Sequence, residues 1–568
     1  MSMPIAAAVS TNLYTPLDAK TEARAIQRSD MGIIEERIDD KNVAWRRITE
    51  EADRDEVYQH NLTLWQSLKT HRAAVLWSVC ASFCIIMEAY DTLLLGSLFA
   101  LPAFKQHFGT YGGAKAGWQI PASWQAGMGQ AANVGSIIGV ILGAFLVDRW
   151  GYKRSVVGML VLICPLIALV TFAPNKGALL AGELLCGIPW GVFSTLAEAY
   201  ASEVCPLTLR AYLTTSVNLC WVIGHLIGAG ILKKAQLMTG IWSFRMPFAV
   251  QWAWPVPLIV AFSLAPESPW WLVRKGHVDK AERSIRRLAP AAERDTAHDT
   301  VSAMIRTNEL EKDVSSGTSF LDCFRGADLR RTEISVISWT CQIMCGLQFA
   351  NYSTYFFEQA GLATSNAFTM TIVLYACAFV GTVLSWFLLT YVGRRKVFVV
   401  GLACLSVGQF LIGALSVVAD HGHNGARWGQ AALMVIWLFV YDMTVGPTAY
   451  VIVGETSSTR LRNKTVGLSR LSYNCFSICF GVMSPYMLNP TEWGWKGKIG
   501  FFWGPICFLC FIWAFFRLPE MKGRSYYELD IMFDRKIPAR KFATYVVERN
   551  TDEQSRQVVD VETSEFEK

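Results

Sequence analysis

Two acids on the first long apolar stretch of this chain could do chemistry that a packed core does not need. Glu88 and Asp91, in MEAYDTLLLGS, stand three residues apart. On a helix that spacing puts them on one face. Burial favours the protonated form of a carboxyl group, so such a pair could take up a proton on one side and release it elsewhere. A third acid, Glu183, lies in the fourth apolar stretch, and a cation, Arg470, in the eleventh. An Asp, Lys or Arg at the centre of a bilayer costs roughly 2.5–3.5 kcal/mol, so each is a functional candidate by default. Arg470 either compensates one of these carboxylates, contacts a substrate, or lies nearer the interface and snorkels. Glu198 and Asp442 also fall in apolar stretches, where they face an aqueous cavity or stand near a helix end.

The elements that must position these groups are bilayer-spanning helices. Hydrophobic residues make up 52% of the 568 and charged residues 17%, with a mean hydropathy of +0.29. A soluble surface needs about 25% charged residues. The apolar excess is blocked into twelve runs, each long enough to cross a hydrocarbon core. They begin near Arg72, Trp124, Ser155, Ala178, Tyr212 and Pro247, then near Ile334, Ala367, Lys396, Gly429, Lys464 and Gly500. The cysteines lie mostly within these runs and show neither metal-ligand spacing nor a disulfide framework, so no metal is expected. No nucleophile–base set or phosphate loop appears, so the chain does not read as an enzyme and no cofactor is expected. The net charge of +6 is modest and spread out, which gives no sign of nucleic-acid binding.

The chain divides into a tail (1–71), six spans (72–265), a charged helix-prone linker (266–331), six more spans (332–518) and a second tail (519–568). A short basic turn recurs between the second and third spans of each half, DRWGYKR at Asp148–Arg154 and GRRK at Gly393–Lys396. Such recurrence points to internal duplication. The basic linker places both termini in the cytoplasm. Gly135, Gly139 and Gly143 form a small-residue stripe on the second span, read as a packing face.

Several of these strings resemble the sugar porter family of the major facilitator superfamily. GAFLVDRWGYKR (Gly143–Arg154) is similar to the family's G-x-x-x-D-R-x-G-R-R turn, PESPWWL from Pro266 to its PESPRWL, and PEMKG from Pro519 to its PETKG. Glu203 with Arg210, and Glu455 with Arg462, match the acid-then-arginine spacing after the fourth and tenth helices. AGELLCGIPWGVF from Ala181 and YASEVCPLTLRAYLTT from Tyr200 are most similar to the fungal α-glucoside (maltose-type) permeases. The resemblance implies an all-α membrane fold of twelve transmembrane helices in two pseudo-symmetric halves, with substrate near the midplane. It also implies a gating latch in which Asp148, Arg149, Arg154, Glu203, Arg210 and Glu267 act in the first half. Arg394, Arg395, Glu455, Arg462 and Glu520 act in the second, although Thr390 stands where an acid is usual.

Asp91 occupies the acid of the family's GYD element, the protonation site of its proton symporters. Glu183 stands where that acid's arginine partner is usual, so Asp91, Glu88, Glu183 and Arg470 form the expected coupling set. Amides donate and accept as vicinal hydroxyls do, and aromatic rings cover a sugar's C–H face. The family's pattern puts Asn218, Gln342, Gln348, Tyr450 and Asn474 in those roles, with Glu88 as a further hydroxyl partner. Gln342 and Gln348 match the family's QQ-x-x-G-x-N element imperfectly, and the following NYSTYFFEQAGL fits only with a one-residue slip. The expectation is a monomeric plasma-membrane symporter of an α-glucoside such as maltose with protons. A carrier of a hexose, another glycoside or a small metabolite is the neighbouring alternative, and a non-transporting nutrient sensor a more distant one.

Overall fold

A computed structural model of the chain describes Lys69 and residues 71–545, apart from 114–116, 205–206, 290–296, 316–318, 422, 459–460, 523 and 525. Most of the N-terminal tail and the end of the C-terminal tail therefore lie outside the described residues. The first half consists of α1 (Arg72–Leu98), α2 (Ala122–Trp150), α3 (Tyr152–Thr171), α4 (Lys176–Val204), α5 (Leu207–Gln236) and α6 (Trp242–Leu264). Three linker helices follow: α7 (Pro269–Arg274), α8 (Val278–Leu288) and α9 (Ala297–Ser315). They bury Leu272, Val273, Ala281 and Ile285 in a small core of their own.

In the second half α10 runs over Gly326–Gln342, passes a π turn at Ile343–Leu347, and continues through Gln348–Asn351 and Ser353–Gln359. Then come α11 (Thr364–Tyr391), α12 (Arg394–Asp420), α13 (Asn424–Thr456), α14 (Arg462–Leu488) and α15 (Lys496–Arg517). Among the described residues nine helices are long and apolar enough to span a membrane. The more polar α5, α10 and α14 complete the twelve, and all three line the central cavity. Phe145, Phe387 and Leu509 are each more than 60% exposed on the outside of the bundle. Large apolar surface of that kind faces lipid rather than water.

The two halves repeat one packing scheme. α1 lies on α5, α2 on α4 and α3 on α6, while α10 lies on α14, α11 on α13 and α12 on α15. α2 meets α14 and α5 meets α11 across the halves. The glycine stripe is a close backbone contact, as read. A Cβ on Gly135 would come within 2.1 Å of the Leu184 carbonyl, and one on Gly139 within 2.1 Å of that of Ile188. Gly143 has ordinary room, its nearest atom at 3.5 Å.

Part of the expected C-terminal tail is packed structure. A final helix, α16 (Tyr526–Asp534), leads to Phe542, and both are anchored on the start of α10. Arg331 stacks on Phe533 at 4.6 Å, and Arg330 donates to the Ile537 carbonyl at 2.7 Å.

The faces of the bundle are closed differently. On the face away from the chain termini, bonds cross between halves. Lys105, in the short helix Pro102–Phe108, donates to both oxygens of Glu358 at 2.8 and 2.7 Å. Ser97 bonds Thr354 at 2.9 Å, and Asn489 donates to the Ile120 carbonyl at 2.8 Å. On the terminal face, Arg274–Glu203 and Arg394–Glu455 each join groups of one half or its adjoining linker.

Two expectations follow. Gly139→Val should destabilise the folded carrier by about 1–3 kcal/mol through overpacking, whereas Gly143→Ala should be close to neutral, read by thermal melting in detergent. Glu358→Gln should speed labelling of an Asn133→Cys probe by an impermeant thiol reagent from the far face, on the order of tenfold for a bias of about 1.4 kcal/mol. The charge-swapped pair Lys105→Glu with Glu358→Lys should return the rate toward the parent's.

Candidate functional site

A cavity opens between the halves, and every residue expected to couple protons or bind substrate lines it. Glu88, Asp91, Glu183, Asn218, Gln342, Gln348, Tyr450, Arg470 and Asn474 all face this one space. They come from six helices of both halves, so only the assembled bundle unites them.

The arrangement around Asp91 differs from a carboxylate–arginine pair. Gln251 donates Nε2 to Oδ1 at 2.5 Å, and the Trp190 indole donates to Oδ2 at 3.1 Å. The acid's partners among the described residues are these two neutral donors, and Arg470 is not one of them. Gln251 reaches Asp91 because α6 is interrupted there by a 3-10 turn, Gln251–Ala253, ahead of Pro255. Proline cannot continue the helix hydrogen-bond ladder, so the helix is broken where the amide is needed. Glu183 is 1% exposed, interacts electrostatically with Asp91, and has no hydrogen-bond partner for Oε1 among the described residues. A shared proton or a ligand donor is what such an acid needs.

Arg470 does not snorkel. It reaches into the cavity over the Trp339 and Tyr473 rings, 5.8 Å from each centroid. Trp339 in turn meets Tyr450 edge-on at 5.4 Å. Gln348 donates to Ser477 Oγ at 2.6 Å, and Gln342 accepts from the Tyr441 hydroxyl at 3.1 Å. Asn218 of α5 reaches across the halves to Asp442 Oδ1 at 3.0 Å and Thr382 at 3.4 Å.

Trp190, Gln251, His225, Tyr375 and Tyr441 escaped the sequence reading. His225 stands seven residues after Asn218, two turns along the same face of α5, and that periodicity is a usable signal. Gln251 is the polar residue at a proline-flanked break. Tyr375 and Trp190 carry no local mark distinguishing them from the other aromatics. Of the two acids without a motif, Asp442 lines the cavity; the side chain of Glu198 lies outside the described ones.

The charged groups of the terminal face form two similar braces. Glu267 accepts from the backbone N–H of Tyr152 and Lys153, at 2.9 and 3.3 Å, at the start of α3. Glu520 does the same for Arg394 and Arg395 of α12, at 2.9 and 3.2 Å. A carboxylate at a helix N-terminus satisfies orphan N–H groups and meets the favourable end of the dipole. Each acid presses on the preceding glycine, Gly151 or Gly393, where a Cβ would lie 2.5 or 2.1 Å from it. Burial raises the pKa of Glu267, against the pull of its N–H donors and Lys153.

In the second half Arg394 also pairs with Glu455 at 3.0 Å, even though Thr390 replaces the usual acid. Tyr152 occupies the position of Arg394 in the first half. Its hydroxyl bonds Glu203 at 3.0 Å, and the cation comes from the linker as Arg274, at 2.6 Å. Ser268 also bonds Glu203. Arg395 donates to the Phe515 carbonyl at 2.8 Å. Asp148, Arg149 and Arg154 make no ion pair among the described residues, and the side chains of Arg210 and Arg462 lie outside them.

Comparison with known proteins agrees with this geometry. The profile of the family described as "Sugar (and other) transporter" matches residues 77–533. A maltose permease of Saccharomyces cerevisiae is 38% identical over 504 residues, covering 88% of this chain and 81% of the permease. A general alpha-glucoside permease of the same yeast is 37% identical over 506 residues, covering 88% and 82%. Among solved structures, the xylose transporter XylE from E. coli, in a partially occluded inward-open conformation, superposes with a TM-score of 0.64. Its identity is 18%, covering 80% of this chain and all of that one. The proton:xylose symporter XylE bound to 6-bromo-6-deoxy-D-glucose gives 0.64 at 19% identity, covering 81% and 99%. With the twelve-helix major facilitator fold, a polar cavity between its halves and a family match over most of its length, the chain belongs to the sugar transporter family.

Proposed function

We propose that this carrier imports α-glucosides such as maltose together with protons, across the plasma membrane, with both termini in the cytoplasm. The observation that carries this reading is the convergence on one cavity of a buried acid set and an amide–aromatic set. The maltose and α-glucoside permeases among its relatives support the substrate class. Sugar and proton enter from the far face, the halves rock about the cavity, and both leave into the cytoplasm. Asp91 is the leading proton carrier, with Glu88 and Glu183 beside it. Asn218, Gln342, Gln348, Asn474 and Tyr450 hold the sugar, and Arg470 orders the acids or the substrate. The glutamate braces of the terminal face keep each half rigid while it moves. A single chain contains the whole cavity, so the monomer in a lipid bilayer is the functional unit.

The test is uptake of labelled maltose by yeast lacking disaccharide transport, with extracellular pH followed in parallel. Uptake should be accompanied by alkalinisation of the medium. Asp91→Asn should abolish accumulation against a gradient while the protein still reaches the membrane. Maltose uptake without alkalinisation and unaffected by Asp91→Asn overturns the coupling assignment, and a panel of hexoses and other glycosides decides the substrate.

A further inference from the structure

The second half holds an acid that no motif marks. Asp442 is the penultimate residue of the first segment of α13, which ends at Met443 before a non-helical Thr444. A carboxylate there meets the unfavourable end of the helix dipole. It is 4% exposed and lines the cavity. Among the described residues its one hydrogen-bond donor is Asn218, at 3.0 Å. Thr382 of α11 shares its Asn218 donor, and Tyr375 of α11 and Tyr441 of its own helix lie close by. A carboxylate has about four lone-pair sites, so most of its acceptor capacity is left to whatever enters the cavity.

An independent observation points the same way. Tyr441, the neighbour of Asp442, donates its hydroxyl to Gln342 Oε1 at 3.1 Å. That bond occupies the acceptor end of Gln342 and leaves Nε2 with no partner among the described residues, although the side chain is 3% exposed. An unmet buried donor costs about 1–3 kcal/mol, so a ligand acceptor in the cavity gains by reaching it. An open acceptor, Asp442, and an open donor, Gln342, thus line the same cavity, with Tyr441 adjacent to the first in the chain and bonded to the second. A sugar hydroxyl both donates and accepts, and a vicinal pair presents both functions side by side. Asp91 contrasts with this, since two N–H donors of the protein already hold it.

We infer that Asp442 is a specificity-determining sugar ligand, accepting a hydroxyl of the α-glucoside while Gln342 donates to the same or the adjacent hydroxyl. This rests on the α-glucoside reading above and adds to it a named contact. Asn218 fixes the carboxylate from the other half, so the bound sugar is gripped by a group that both halves position.

The experiment is equilibrium binding of maltose and its monodeoxy analogues to the purified carrier in lipid nanodiscs. Wild type is compared with Asp442→Asn and Asp442→Glu, and the proton-to-sugar ratio is measured in cells. At least one analogue should bind wild type about 10- to 100-fold more weakly than maltose, the range for a hydrogen bond to a charged group. Asp442→Asn should bind maltose as weakly as that analogue and cease to distinguish the two. Asp442→Glu should recover part of the affinity, and residual uptake should keep the wild-type proton ratio. Unchanged maltose affinity in Asp442→Asn overturns the assignment, as does lost proton uptake with affinity intact. Should Asp442→Asn fail to fold, the wild-type series still decides, because indifference to every deoxy position overturns the contact. A wild type that binds no α-glucoside overturns the parent reading as well.

Discussion

Hydrocarbon cannot satisfy a polar group, and most of this architecture is a response to that constraint. An ionisable side chain in a spanning helix must find its partners inside the protein or in a water-filled cavity. The described helices therefore turn their acids, amides and Arg470 toward one space and leave Phe145, Phe387 and Leu509 to the lipid. The helices are also broken where that space demands it. α6 breaks at Gln251–Ala253 beside Asp91, and α13 at Thr444 just past Asp442. α10 breaks at Gly346, whose φ of +108° no bulky residue adopts without strain. Irregular backbone at membrane depth is tolerated where it is buried in protein or lines a cavity. Gln251, Thr444 and Gly346 are buried, and Leu347 and Asp442 beside two of the breaks line the cavity.

The uneven closure of the two faces gives the bundle a direction. Lys105–Glu358 and its neighbours join the halves on the far face, whereas the glutamate braces of the terminal face work inside each half. A carrier that alternates needs rigid halves and a breakable seam between them. On the proposed reading the braces supply the first and the far-face bonds the second. Tyr152 in the place of Arg394 shows that the repeat conserves the bracing geometry rather than the residue: a hydroxyl and a linker arginine do in one half what a single arginine does in the other.

Apolar run length made the spanning helices legible, because a bilayer imposes a length that soluble cores do not. Their starts were read late where the first turns are polar. α10 begins at Gly326 rather than near Ile334, since Arg330 and Arg331 belong to its opening turns and bind the C-terminal segment. The one-residue slip in the seventh span has a structural counterpart in the π turn at Ile343–Leu347, which accommodates one extra residue in a helix. The cavity residues were found by charge cost and family pattern. Gln251, Trp190 and Tyr375 were missed because their roles depend on which helix lies opposite, and that is tertiary information.

The replacement of an arginine by Glu183 changes what a proton switch at Asp91 would have to be. A salt bridge would trade a proton for a cation. Here the acid is held instead by an amide on α6 and an indole on α4, with a second buried acid close by. Neutral donors stabilise the carboxylate only while their geometry holds, since hydrogen bonds weaken steeply with misalignment. On the proposed reading, small shifts of α4 or α6 against α1 then set whether Asp91 keeps its proton. On the same reading the proton site lies within the first half, while Gln342, Gln348, Asn474 and Asp442, which line the cavity from the second, hold most of the sugar contacts. Coupling needs a link between them, and the Asn218–Asp442 bond is placed to supply one: it leaves the first half on α5 and ends on the carboxylate assigned to the sugar.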